Sequence, residues 1–258
     1  MPPSTGSSRS ASSGDVVTAL ELVVVVVAVG IAAFTQAVAG FGFGLMAVPM
    51  MTLIIEPKLA VIIATLIGVL ITTWQAWHLR ADADRRLARR MVGSAYLGMP
   101  LGLWVFVVVS NDTLRLALGI AVVLAVLLLA FRLNLHHVGP GLDMAAGFVS
   151  GVLNTSLSTN GPPLVFALQA RQLQPVAFRA TINTVFAFSN VMGLSLFIGA
   201  GKVTRDGLIA AAVSLPAVLL GQLAGTPIRR HFDGERFRVL VLVLLGTTAV
   251  SAIVGALT

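Results

Sequence analysis

Two short stretches hold the residue types that could do chemistry in this chain. One is Asn154-Thr155-Ser156-Leu157-Ser158-Thr159-Asn160-Gly161-Pro162-Pro163, a polar run closed by Gly-Pro-Pro and set between the apolar sequences 145–149 and 164–168. Lipid cannot satisfy backbone N–H and C=O groups, so irregular backbone at membrane depth persists only inside protein or along a wet cavity. Pro162 and Pro163 lack an N–H and have a fixed φ, which suits the first turn of a new helix. The open donors of that helix start fall around Gly161, beside Asn154, Ser158, Thr159 and Asn160, and a helix N-terminus favours an anion. The other stretch is Gly40-Phe41-Gly42-Phe43-Gly44, glycine-rich and again inside apolar sequence. Two helix starts of ~+0.5 charge each would hold roughly one negative charge with no buried lysine.

A polar stripe follows the second stretch. Arg179, Asn183 and Asn190, with Phe186 between, are spaced by 4, 3 and 4 residues, which keeps them on one helix face. Asn183 and Asn190 are candidates to line a path for the anion. Arg179 is a candidate anion contact or a helix-end anchor. Glu21, a carboxylate within an apolar segment, is a candidate coupling group, or reaches the headgroups from near that segment's start. Asp82 and Asp84 sit among loop arginines and read as a solvated face. Adjacent His136 and His137 do not share a helix face as metal ligands would, and the chain has no cysteine. Thiol chemistry is therefore excluded, and a membrane-embedded enzyme finds no paired acid and base. No catalytic residue, metal or other cofactor is expected.

The elements that must position these groups are helices in a membrane. Of 258 residues, 57% are hydrophobic and 10% charged, with mean hydropathy +0.96, which suits an all-α polytopic membrane protein. Long apolar segments run over 16–38, 60–78, 91–109, 114–133, 176–199, 207–227 and 237–257, with shorter, interrupted blocks at 39–55 and 142–173. Net charge is +7, but the arginines cluster in short loops (Arg80, Arg85, Arg86, Arg89, Arg90; then Arg229, Arg230, Arg236, Arg238). That pattern marks a cytoplasmic membrane face and not a nucleic-acid site. Residues 1–15 read as a disordered tail. Ala37-Val38-Ala39 has the look of a cleavage site, but the apolar run before it is too long, so this segment is read as a helix that stays.

The chain repeats itself. At an offset of 117, Gly44 falls on Gly161 and Gly30 on Gly147. At 123, Gly98-x-x-x-Gly102 falls on Gly221-x-x-x-Gly225, small-residue pairs that let helices pack closely. Repeats 16–133 and 134–258 each then hold a glycine-rich interrupted helix pair, re-entrant or broken, plus three transmembrane helices. Interrupted helices in corresponding positions point to a secondary transporter. If each interrupted block returns to its own side, the repeats are inverted and the Lys/Arg residues divide twelve to five between the faces; single crossings divide them nine to eight. Orientation follows that bias, so inverted repeats with both termini outside are expected. The function read from these features is a carrier moving a small anion by alternating access, with the anion at the helix starts near the midplane. An anion channel or uncoupled pore is the alternative. Its partners are the anion and the bilayer, and a homo-oligomer is left open.

The glycine-rich segment Gly40 to Pro49 ending in Val-Pro, the Asn160-Gly-Pro-Pro-Leu-Val165 segment and the Ala180-Thr181 helix resemble the TauE/SafE family of sulfite and organosulfonate exporters. The likeness runs from about residue 20 to 257. It implies an inner-membrane exporter of a small sulfur-containing anion, sulfite or an organosulfonate such as sulfoacetate.

Overall fold

The computed structural model describes residues 18–130 and 139–228. The expectations for residues 1–15, His136, His137, the 237–257 segment and Arg229 to Arg238 lie outside these residues. Among the described residues the regular structure is helical: α1 Ala19–Ala39, α2 Phe43–Met51, α3 Pro57–Leu79, α4 Arg85–Val108, α5 Asn111–Ala130, α6 Pro140–Leu157, α7 Gly161–Ala170, α8 Pro175–Gly199 and α9 Arg205–Ile228. Five of them, α1, α3, α4, α8 and α9, are long and apolar enough to cross a membrane.

Local chemistry sets the boundaries. Thr18 and Glu21 form a reciprocal capping box at the start of α1. Prolines open α3, α6 and α8, where a missing N–H costs nothing. Asp84 caps α4 by accepting from the Arg86 and Leu87 N–H groups, at 2.9 and 3.0 Å, so this aspartate is a structural cap and not simply part of a solvated face. Helices α2 and α7, of 9 and 10 residues, extend only ~15 Å, about half the hydrocarbon thickness.

The polar run from Asn154 reads as irregular backbone up to a new helix start around Gly161. Instead α6 continues to Leu157, and only Ser158, Thr159 and Asn160 are non-helical. The reason is local: Thr155 Oγ1 donates to the Gly151 and Met99 carbonyls, and Ser156 Oγ donates to the Val152 carbonyl at 2.7 Å. Hydroxyls that bond back to the previous turn, or to a neighbouring helix, sit inside a helix at little cost.

Three pairings dominate the packing: α4 along α6, α1 along α9 and α3 along α8. The expected small-residue pairs make the first two. Gly98 and Gly102 lie against the Phe148 and Val152 carbonyls of α6, and Gly221 and Gly225 against the Gly30 and Phe34 carbonyls of α1. A side chain at any of the four would strike backbone, which cannot rotate away. The larger apolar cluster includes Leu45, Met46, Met51, Ile63, Ile67 and Phe106, so it wraps the short α2 in protein rather than lipid.

Candidate functional site

The two interrupted stretches meet. Gly40 ends α1 at φ +82° and Gly42 precedes α2 at φ +99°, so two left-handed residues reverse the chain around Phe41. On the other side Ser158 ends α6 at φ +54°, its N–H bonded to the Asn154 carbonyl at 3.0 Å. A non-glycine residue in that region is strained, and such strain gathers at sites where geometry matters. The chain is held there by Ser150 Oγ, which donates to the Asn160 carbonyl at 2.9 Å. Gly44, in the first turn of α2, lies directly against the Ser158 carbonyl. That crossing leaves no room for any side chain.

Between the tips is a cavity of about 20 Å³, lined by Gly42, Phe43, Gly44, Ser158, Thr159, Asn160 and Gly161, and by Gln36, Thr72, Phe186 and Asn190 among others. Such a volume admits about one water. Phe41 and Phe186 flank Gly161, 3.7 and 3.9 Å from where a methyl would stand. Thr159 Oγ1 and Asn160 Nδ2 are buried with no hydrogen-bond partner, as are Asn154 Oδ1 and Ser189 Oγ. Unsatisfied polar atoms in a folded interior are rare and call for a reason. The first two belong to residues lining this cavity, next to two helix starts. Because Pro162 and Pro163 carry no N–H, the backbone donors left without an intrahelical acceptor at the start of α7 are those of the N-cap Asn160 and of Gly161.

Gln36, four residues before Gly40, organises the first tip and was not singled out from the sequence. Its Oε1 accepts from the Phe43 N–H at 3.0 Å, while Nε2 donates to Gln75 Oε1 at 3.2 Å and lies 3.4 Å from Asn183 Oδ1. Gln75 in turn donates to Gln222, and Gln222 to the Ala33 carbonyl. A second cavity, of about 180 Å³, lies beyond this amide cluster; Gly40, Gln75, His78, Arg179, Asn183 and Gln222 are among its lining. The amides thus stand between the two cavities. A polar amide inside an apolar segment was the available signal at Gln36, Gln75 and Gln222.

The stripe on α8 divides. Asn190 and Phe186 line the small cavity; Asn183 and Arg179 line the larger one. Asn183 donates to the Gly40 carbonyl at 3.2 Å and Asn190 to Thr72 Oγ1 at 3.3 Å, while Asn154 donates to Asn190 at 2.8 Å. The Asn190–Thr72 bond joins residues one step further apart than Gly44 and Gly161. Thr72 and Asn190 are 118 apart, and α2 and α7 begin at Phe43 and Gly161, again 118 apart, where the glycine comparison used 117. At 117, Asn183 and Asn190 faced Leu66 and Thr73, and polarity fell almost wholly on the second half. At 118 they correspond to Thr65 and Thr72, both buried, and Thr65 Oγ1 lies 3.4 Å from Ser158 Oγ.

Glu21 is not with the others. It serves the capping box at the far end of α1 and lines neither cavity. Among the described residues the buried carboxylate is Asp143. Arg171 grips it through Nε and Nη2 at 3.1 and 2.7 Å and also donates to the Gly139 carbonyl, while Arg90 Nη1 is 3.8 Å away. This ties the end of α7 to the beginning of α6.

A family described as Sulfite exporter TauE/SafE matches residues 25–252. A curated relative, described as the "Probable inner membrane transporter protein TsaS" of Comamonas testosteroni, is 29% identical over 117 residues. The alignment takes in 45% of this chain, and the chain spans 46% of the relative's length. No solved structure matches.

Proposed function

The chain belongs to the sulfite exporter TauE/SafE family, and from that premise we propose that it is an inner-membrane carrier, not an enzyme, that exports sulfite or an organosulfonate. The anion is held where the starts of α2 and α7 meet and is released by alternating access. One observation carries this reading: Thr159 Oγ1 and Asn160 Nδ2, buried and without partners, lie beside two helix starts. Helix dipoles and open N–H groups favour negative charge there. The relative's printed name supports the inner-membrane location.

The repeats 16–133 and 134–258 are read as inverted. That the chain is a repeat is supported by its packing: exchanging α1, α2, α3 and α4 with α6, α7, α8 and α9 turns α1 with α9 into α6 with α4 and leaves α3 with α8 unchanged. The glycine contacts obey the same exchange. The ion pair from Arg171 to Asp143 favours a hairpin that leaves on the side it entered. That parity gives the twelve-to-five Lys/Arg bias and puts the loop before α4 in the cytoplasm. A carrier is preferred to a channel because Gly44 against Ser158 closes the route and leaves a cavity of about 20 Å³. Sulfite, with four heavy atoms, enters only if the tips part.

Flux of sulfite and of small sulfonates in proteoliposomes, with counterflow, tests the proposal. Asn160→Leu removes the open amide donor and lowers flux at least tenfold, by roughly the 1.4 kcal/mol or more that a hydrogen bond to a charge is worth. Flux in that variant equal to wild type removes the tips from the mechanism.

A further inference from the structure

We propose that the species carried is a monoanion: bisulfite and singly charged sulfonates pass, while oxyanions bearing two charges do not. This deepens the reading above and rests on the tip cavity being the substrate site. The argument is one of charge. None of the described residues lining that cavity is ionisable; its polar side chains are Gln36, Thr72, Ser158, Thr159, Asn160 and Asn190. Arg179 lines the larger cavity, beyond the amides. The positive field at the site is therefore that of the α2 and α7 starts, ~+0.5 each and about one charge together. A monoanion is matched. A dianion brings roughly one further charge with no partner into a site walled by buried residues, and an unpaired buried charge is excluded or neutralised.

The hydrogen-bond inventory points the same way. A site for a fully deprotonated oxyanion needs donors alone. This one offers the Thr159 hydroxyl, which can both donate and accept, whereas those of Ser158 and Thr72 are already engaged with Thr65 and with Gly68 and Asn190. The Thr159 hydroxyl has no partner, so it can accept from the one protonated oxygen of bisulfite while Asn160 Nδ2 donates to another. At Gln36 a neutral amide oxygen meets the Phe43 N–H at 3.0 Å, which takes one donor of α2 out of service and adds no charge. Sulfite gains a proton near neutral pH and becomes singly charged. A simple sulfonate is singly charged throughout, whereas sulfoacetate carries a second charge on its carboxylate.

The test compares labelled sulfite and labelled methanesulfonate in proteoliposomes, at one clamped potential, subsaturating substrate and equal pH on both sides, from pH 6 to 9. Sulfite flux is expected to follow the monoanion, falling roughly tenfold per pH unit once sulfite is mostly deprotonated. Methanesulfonate flux stays flat, which shows that the protein itself does not titrate. Sulfate and sulfoacetate compete weakly and methanesulfonate strongly. Sulfite flux that is flat or rises with pH, or sulfate competing as well as methanesulfonate, overturns the proposal. The two levels separate through Thr159→Val and Asn160→Leu. If both variants abolish flux but wild-type flux ignores pH, the site stands and the monoanion falls. If neither variant changes flux, the site itself falls and the charge argument goes with it.

Discussion

Three glycines at the tips, each changed to alanine, should give three different results. At Gly44 the added carbon would sit inside the Ser158 carbonyl oxygen, with backbone on both sides, so the tips must separate. Overpacking of this kind costs about 1–3 kcal/mol even where side chains can yield, and here none can. At Gly42 nothing lies within 4 Å, but φ is +99°, a conformation that charges an L-residue about 1–2 kcal/mol. At Gly161 the backbone is helical and the nearest atoms are 3.7 and 3.9 Å away, so alanine is neutral or gains up to ~1 kcal/mol of helix propensity. The thermal midpoint in detergent should therefore order Gly161→Ala at or above wild type, then Gly42→Ala, then Gly44→Ala lowest. Liposome flux should order differently. Gly161→Ala folds normally yet transports less, because its methyl takes up space in a cavity of about 20 Å³. A Gly44→Ala protein with wild-type midpoint and wild-type flux would refute the backbone contact between the tips, and with it the site.

Other substitutions probe the surrounding frame. Gln36→Leu strands the Phe43 N–H and leaves Gln75 and Asn183 short of a donor, so the midpoint should fall by the equivalent of about 1–3 kcal/mol. Gln36→Glu keeps the acceptor for Phe43 but puts negative charge at the cavity wall, and anion flux should vanish. Asp143→Asn breaks a carboxylate of 0% side-chain exposure away from Arg171, itself 28% exposed. Breaking a fully buried pair costs about 3–5 kcal/mol, and the arginine's access to water brings the expected loss to about 1–2; a thermal double-mutant cycle with Arg171→Gln reads the coupling. For topology, cysteines at Arg85 and Arg205 in this cysteine-free chain should be labelled from opposite faces. Labelling from one face means parallel repeats.

Much of this was legible because glycine, proline and polar residues stand out against apolar sequence. The locations of both tips, the α8 stripe and the packing role of the Gly98 and Gly221 motifs followed from residue types and spacing alone. What failed was finer. Glycine spacing could not find the second left-handed cap, because α6 ends at Ser158 and not at a glycine, so the caps Gly40 and Ser158 share no residue type. Thr65 and Thr72 went unnoticed because single hydroxyls in an apolar helix carry little signal; the structure buries both. Thr155 and Ser156 looked like helix breakers, since their back-bonding to carbonyls cannot be read from composition. Asp143 was missed because it follows Gly139-Pro140 and resembles a loop residue; only the fold brings Arg171 and Arg90 to it.

The packing also constrains which pieces are free to move. The tightest contacts run between the halves of the chain: Gly221 and Gly225 seat α9 on α1, and Gly98 and Gly102 seat α4 on α6, carbonyl against glycine in all four places. Close-packed contacts of this kind have no slack to slide continuously. A carrier of the proposed kind on this frame therefore cannot swing the proposed repeats, residues 16–133 and 134–258, as blocks against each other, since that would tear both seams. The pieces that can rock are α1 with α2 and α9, against α6 with α7 and α4. Between them lie the α3–α8 contact, bridged by the bond from Asn190 to Thr72, and the Gly44–Ser158 crossing. Each piece carries one short helix, so rocking necessarily opens and closes the gap between the starts of α2 and α7. In the proposed carrier the two helix starts that face the anion would then belong to different moving bodies.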